Sequence, residues 1–99
     1  MPFELDMSDE AERVLAELER NPSNAVTLRK VINTLARIQQ NPRHPGLNTH
    51  QYLGRKGPRG ETVWQAYVEN RTPGAWRIWF SYGPGREVIS IITIGPHPD

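Results

Sequence analysis

The sequence predicts an α+β domain of order β-α-α-β-β-β: a helical hairpin packed on a mostly antiparallel four-stranded sheet. Three observations predict it. Two consecutive segments carry apolar residues at the helical period and are separated only by an Asn-Pro-Ser-Asn break at 21–24. After Gly60 the texture changes to short β-branched and aromatic runs divided by Pro-Gly turns. A brief alternating segment, Phe3-Glu-Leu-Asp6, precedes the helices. Helices followed by a run of strands are the pattern of a two-layer α+β fold.

The elements follow in order. Residues 2–6 read as a short strand with Phe3 and Leu5 facing inward. Ser8, followed by Asp9 and Glu10, supplies a hydroxyl cap and two carboxylates for the positive end of a helix over 9–20. Ala11, Val14, Leu15 and Leu18 form its apolar stripe, and Asn21-Pro22 stops it. Ser23 or Asn24 starts a second helix over 24–40, with Leu28, Val31, Ile32, Leu35 and Ile38 on one face, ended by Asn41-Pro42. The short connection predicts an antiparallel hairpin. Residues 42–60 hold three of the nine prolines and four of the eight glycines, and read as a long, exposed basic loop.

A β-meander is expected over 62–94. Thr62–Asn70 forms its first strand, and Pro73-Gly74 fill the central positions of a type II turn. Ala75–Tyr82 follows, with Trp76, Ile78, Phe80 and Tyr82 on one face and Arg77, Trp79 and Ser81 on the other. Glu87–Ile94 is apolar on both faces, Val88, Ile92 and Ile94 against Ile89 and Ile91, as an inner strand would be. Residues 95–99 form a tail.

A chain of 99 residues makes one domain, 1–99, without internal repeats. With no cysteine, a disulfide scaffold, a thiolate-held metal and a cysteine nucleophile are excluded. No apolar run approaches the ~20 residues that cross a bilayer, and the acidic N-terminal segment has no signal-peptide pattern. A cytoplasmic protein with no membrane partner is expected.

The net charge of +1 conceals an asymmetry. Residues 1–24 hold seven carboxylates against two arginines, a net −5, and the rest of the chain carries +6. From Arg20 through Gly60, both included, there are eight bases and no acid. Such a stretch suits a polyanionic partner or is a solvated basic face.

Candidate chemistry is confined to few residues. Arg77, in mid-strand among Trp76, Ile78, Trp79 and Phe80, must find either a carboxylate (Glu69 or Glu87) or an anionic ligand. His97, between Pro96 and Pro98, is either a rigidly presented proton-transfer group or a surface residue of the tail. His44 and His50, on the Pro/Gly loop, lack the spacing and the carboxylate neighbours of a zinc site, so no metal is expected. Gly83-Pro84-Gly85 lacks the lysine and following helix of a phosphate-binding loop.

With these residues in view, the chain resembles the RelE/ParE superfamily of bacterial toxins. The likeness spans essentially the whole chain. It rests on the element order, on Asn41-Pro42, on the strand Ala75-Trp-Arg-Ile-Trp-Phe-Ser-Tyr82 and on the ending Gly95-Pro-His-Pro-Asp99. Gly95-x-His97 and Arg43-His44-Pro45 look like the YafQ branch. The resemblance implies a ribosome-dependent endoribonuclease that cleaves mRNA by 2′-OH attack with neither metal nor cofactor. It implies a cognate antitoxin as partner, beside ribosome and mRNA, in a homodimer or a toxin–antitoxin hetero-oligomer.

By position, Arg77 would match the arginine on the scissile phosphate, His97 the C-terminal proton-transfer histidine and His44 the loop histidine. Tyr67 would stand where that branch has a further histidine. The aspartate that follows there has no counterpart among Asn70-Arg-Thr-Pro-Gly74, and the loop around 48–60 is longer than usual. Arg29, Lys30, Arg37, Arg43, His50, Arg55, Lys56 and Arg59 would attract RNA through its phosphates. A non-nuclease interaction module on the same fold, a ParE-like gyrase poison or a detoxified relative, is the alternative.

Overall fold

In a computed structural model, which describes residues 2–97, two helices pack on one face of a five-stranded, mostly antiparallel sheet. The elements are β1 (Glu4–Met7), α1 (Asp9–Arg20), α2 (Ala25–Gln40), β2 (His50–Tyr52), β3 (Val63–Tyr67), β4 (Trp76–Tyr82) and β5 (Val88–Pro96). The strand order is β1-β5-β4-β3-β2, with β1 parallel to β5 and every other pair antiparallel. Pro98 and Asp99 of the expected tail, like Met1, lie outside the described residues.

Local chemistry explains the helix boundaries. The Ser8 hydroxyl accepts from the Ala11 N–H at 3.0 Å and donates to the Ile92 carbonyl at 2.6 Å, so one side chain caps α1 and ties it to β5. A single 3-10 turn, Pro22–Asn24, links the helices, with the Asn21 side chain accepting from the Ser23 N–H. α2 stops at Asn41, whose N–H bonds the Arg37 carbonyl at 2.9 Å. Leu18 of α1 and Val31, Leu35 and Ile38 of α2 are buried against Ala66, Ile78, Phe80, Ile89, Ile91 and Ile94 of the sheet.

Two expectations need correction. The sheet has five strands because the segment expected to be a loop supplies β2, paired with β3 in the register His50↔Gln65 and Tyr52↔Val63. The same segment buries Pro42 and Leu47, Leu47 within a 3-10 turn at Pro45–Leu47. A three-residue His-Gln-Tyr strand has no propensity signal of its own; pairing with β3 creates it.

The faces of β5 also differ from strict alternation. Trp79 pairs with Thr93 but Phe80 pairs with Ile91, so Ile92 is an extra residue, a β-bulge. The bulge brings Ile89, Ile91 and Ile94 to the helix side and turns Ile92 to the other face, against Val63 and Trp79. The strand is thus inner and apolar on both faces, with the two faces composed differently from the alternating pattern.

Candidate active site

The sheet face away from the helices is a lattice fixed by the strand registers. Its rows run Tyr52–Val63, then His50–Gln65–Trp79–Thr93, then Tyr67–Arg77–Gly95. His97 follows Gly95 by two residues, which returns it by alternation to this face, and its N–H bonds the Ala75 carbonyl at 2.8 Å. The structure therefore brings Arg77, Tyr67, His50 and His97 to one side of the sheet, at its upper end.

Arg77 is only 8% exposed. Its Nη1 donates to the carbonyls of Glu69 at 2.6 Å and Trp76 at 3.1 Å, and its Cζ stands 3.7 Å from the Tyr67 ring centroid. Its Nε is buried without a partner, and Nη2 makes no hydrogen bond among the described residues. Among those residues no carboxylate lies within ion-pair distance of the guanidinium: Glu69 offers its carbonyl, not its carboxylate, and the ion pair expected with Glu69 or Glu87 does not form. The charge is held by two carbonyl dipoles and an aromatic face, which leaves its full positive charge for an anion. On β5 the paired position is Gly95, where even a Cβ would meet nothing within 4 Å, so the space over Gly95 is open.

Glu69 reaches Arg77 by way of a bulge. The N–H groups of both Val68 and Glu69 donate to the Trp76 carbonyl, at 3.0 and 3.2 Å, and the extra residue turns the Glu69 carbonyl toward Arg77. The Glu69 carboxylate accepts from the Trp76 N–H at 3.2 Å and lies 3.4 Å from Lys30 Nζ.

Gln65 had no role in the sequence reading. Trp79 Nε1 donates to Gln65 Oε1 at 3.1 Å, which leaves the Gln65 amide nitrogen facing His50 Nε2 at 3.2 Å. His50 Nδ1 lies 3.1 Å from the Asn48 carbonyl. A carbonyl only accepts, so the proton of the neutral ring sits on Nδ1 and Nε2 accepts from Gln65. The chain Trp79–Gln65–His50–Asn48 fixes the His50 ring, whose edge meets Tyr67 at a centroid distance of 5.6 Å. The available signal for Gln65 was parity: a polar residue two before Tyr67 on the same face of a strand.

The segment after β2 crosses this face lower down. Arg55, with Tyr52, Trp79 and Thr93, lines a small hollow of about 140 Å³ and reaches Glu10, both guanidinium nitrogens at 3.4 Å from its oxygens. A hydrogen bond from Thr93 and then the Arg55 guanidinium hold the Glu10 carboxyl below its ordinary value. Lys56 and Arg59 line an adjoining cavity of about 300 Å³ with Asp6, Ser8 and Ser90, and Arg59 pairs with Glu61 at 2.8 Å.

The remaining expected residues lie elsewhere. His44 lines a cavity with Trp64 and Tyr82, both on the helix side of the sheet. Tyr82 is five residues from Arg77 along β4, about 17 Å at ~3.3 Å per residue. The structure thus separates His44 from Arg77, Tyr67 and His97. Arg29, Lys30 and Arg37 are exposed on α2, also on the helix side, from which Lys30 reaches the Glu69 carboxylate at 3.4 Å, and Arg43 stands beside His44. Among the described residues no three His, Cys, Asp or Glu side chains group as metal ligands, and no helix is long and apolar enough to cross a membrane.

No family model and no curated protein matches the sequence. Solved structures match the fold. The chain is similar to a YoeB/ParE toxin from Agrobacterium tumefaciens (12% identity, TM-score 0.70, covering 96% of this chain and 99% of that one). It is similar to a chain of the archaeal RelE–RelB complex from Pyrococcus horikoshii (13%, TM-score 0.65, 97% and 96%). It also matches a chain of the intact E. coli RelBE toxin–antitoxin complex (14%, TM-score 0.61, 98% and 99%). The class of protein is therefore one with the RelE-like toxin fold over nearly its whole length.

Proposed function

We propose that the chain is the toxin of a toxin–antitoxin module and acts as a ribosome-dependent endoribonuclease. The observation that carries the reading is Arg77: a nearly buried guanidinium with no carboxylate partner among the described residues, held against the Tyr67 ring and opposite Gly95. A phosphate in that position completes the charge balance. The shared fold supports the reading, since one matched protein is named as a toxin and another chain comes from a toxin–antitoxin complex.

In this mechanism a base takes the proton of an RNA 2′-hydroxyl, the oxygen attacks the adjacent phosphorus, and an acid gives a proton to the departing 5′-oxygen. The products are a 2′,3′-cyclic phosphate and a 5′-hydroxyl. Arg77 stabilises the charge that grows on the phosphorane oxygens. His97 is the group on this face suited to moving a proton; each such transfer is worth about 10²–10⁴-fold. Tyr67 holds Arg77 and offers its hydroxyl to the scissile region. Arg55, Lys56 and Arg59 line the approach and draw in the phosphate backbone. The ending Gly95-Pro96-His97 favours the YafQ branch within the superfamily, with Tyr67 replacing a histidine. A cytoplasmic location follows from a ribosomal target.

Induced expression with transcriptome-wide mapping of 5′ ends tests this. In-frame mRNA cuts that appear with wild type and not with Arg77→Ala support the nuclease. A second reading, an interaction module that poisons gyrase, draws on the match to a protein described as YoeB/ParE. DNA-damage signalling without RNA cuts would select it.

A further inference from the structure

The far side of the sheet carries a second cavity, of about 400 Å³, at the end of β4 remote from Arg77. We propose that it is a nucleotide-binding site, which stacks a nucleobase on Trp64 and Tyr82 and holds the phosphate between Arg43 and His44. This proposal does not rest on the nuclease reading.

The walls are aromatic. Trp64 pairs across the sheet with Phe80, so Tyr82 is its diagonal neighbour on the same face. Tyr82 remains 39% exposed at the strand end. Its ring meets Phe3 and Phe80 at centroid distances of 6.4 and 5.9 Å in T-shaped contacts, and the part left exposed can stack any base, because every base has a π-face.

The rim is cationic and donor-rich. His44 Nδ1 accepts from the Gly46 N–H at 2.9 Å, so the ring proton is on Nε2, a donor left for a ligand. Arg43 is exposed and makes no ion pair among the described residues. Arg37 comes close as well: a Cβ at Gly46 would stand 3.0 Å from the His44 ring and 3.3 Å from Arg37 Nη1. The lining has no carboxylate, and Asn48 adds an amide able to read a base edge. Guanidinium, imidazole N–H and two aromatic faces together suit an anion joined to a flat heterocycle. The volume falls in the range of small-molecule sites, roughly 300–1,000 Å³.

A free mononucleotide and one residue of an RNA strand present the same chemistry. The full chain is titrated by calorimetry with AMP, GMP, CMP and UMP, with a 2′-O-methylated tetraribonucleotide that resists cleavage, and with inorganic phosphate. The expected result is saturable nucleotide binding, tighter than phosphate, weakened about tenfold or more by Arg43→Gln. Tyr82→Leu weakens it too. A tetramer that binds more tightly than every mononucleotide, with the same loss in Arg43→Gln, identifies an RNA strand as the source; equal affinities identify a free nucleotide. Three results overturn the proposal: a folded protein that binds no nucleotide at millimolar concentration, one that binds phosphate as tightly as nucleotides, or binding lost in Arg77→Ala and kept in Arg43→Gln. An acidic peptide that saturates the cavity where nucleotides do not would overturn it as well.

Discussion

Arg77 and Tyr67 face each other across β3 and β4, with the guanidinium carbon 3.7 Å from the ring centroid. This contact substitutes for an ion pair. It steadies a cation in a nearly buried position without neutralising it, since an aromatic quadrupole attracts a charge but does not cancel it. A carboxylate at position 67 would close the site electrostatically; a tyrosine leaves it ready for an anion.

The pair gives a discriminating substitution. Tyr67→Phe keeps the ring beneath Arg77 and should retain stability and phosphate affinity. Tyr67→Ala removes it and should cost about 0.5–2 kcal/mol of stability. If cleavage also falls by about 10²-fold or more in Tyr67→Phe, the hydroxyl moves a proton; unchanged cleavage assigns Tyr67 to holding Arg77 alone. Thermal melts and cleavage rates on the two variants read the difference.

Gln65→Leu should remove the link between Trp79 and His50 and leave the indole N–H buried beside an aliphatic chain. A buried donor without a partner costs about 1–3 kcal/mol. The Trp79 indole proton should shift upfield in an NMR spectrum, and the His50 ring should lose its single tautomer. A variant as stable as wild type would show that the chain from Trp79 to Asn48 is not maintained in solution.

Ser8→Ala should remove both the α1 cap and the bond to the Ile92 carbonyl. Loss of a cap costs about 1 kcal/mol, and for a chain of this size each kcal/mol lowers Tm by about 4–8 °C. Ser8→Asp restores acceptance from the helix N–H groups but not donation to β5, so its Tm should lie between the two.

Glu10 should make stability depend on acid. Its folded-state pKa lies below the ordinary value because of Thr93 and then Arg55, so it contributes stability above that ordinary value, near about 4.3, and loses it as pH falls through the folded value. Glu10→Gln should therefore flatten the acid side of a urea-midpoint profile between about pH 6 and pH 3. Because the carboxylate is half-exposed, added salt should weaken the effect.

The helices and the strand carrying Arg77 were legible because one periodic signal governed each. Ser8, the Leu18 stripe and the Arg77-Trp79-Ser81 face stand as their spacing implied, and so does the Leu35 stripe except for Ile32, which is 50% exposed at its edge. Three features were not legible, for three physical reasons. β2 has too few residues to carry a pattern and exists through its bonds to β3. The bulges at Ile92 and at Val68-Glu69 insert one residue each, which alternation cannot signal. The division of His44 from Arg77 follows from which side of the sheet the chain takes after α2, a tertiary choice with no local sequence mark. The resemblance placed His44, Arg77 and His97 in one set, and the sheet sets His44 apart.

The central claim is that Arg77 serves a scissile phosphate. Its most direct test is cleavage of a defined mRNA on programmed ribosomes under single-turnover conditions, wild type beside Arg77→Ala, with both proteins shown to be folded and cut positions mapped. Wild type should cut in the decoding site, and the variant should cut more slowly by about 10²–10³-fold. Equal rates from the two proteins would contradict it, as would a well-folded wild type that makes no cut.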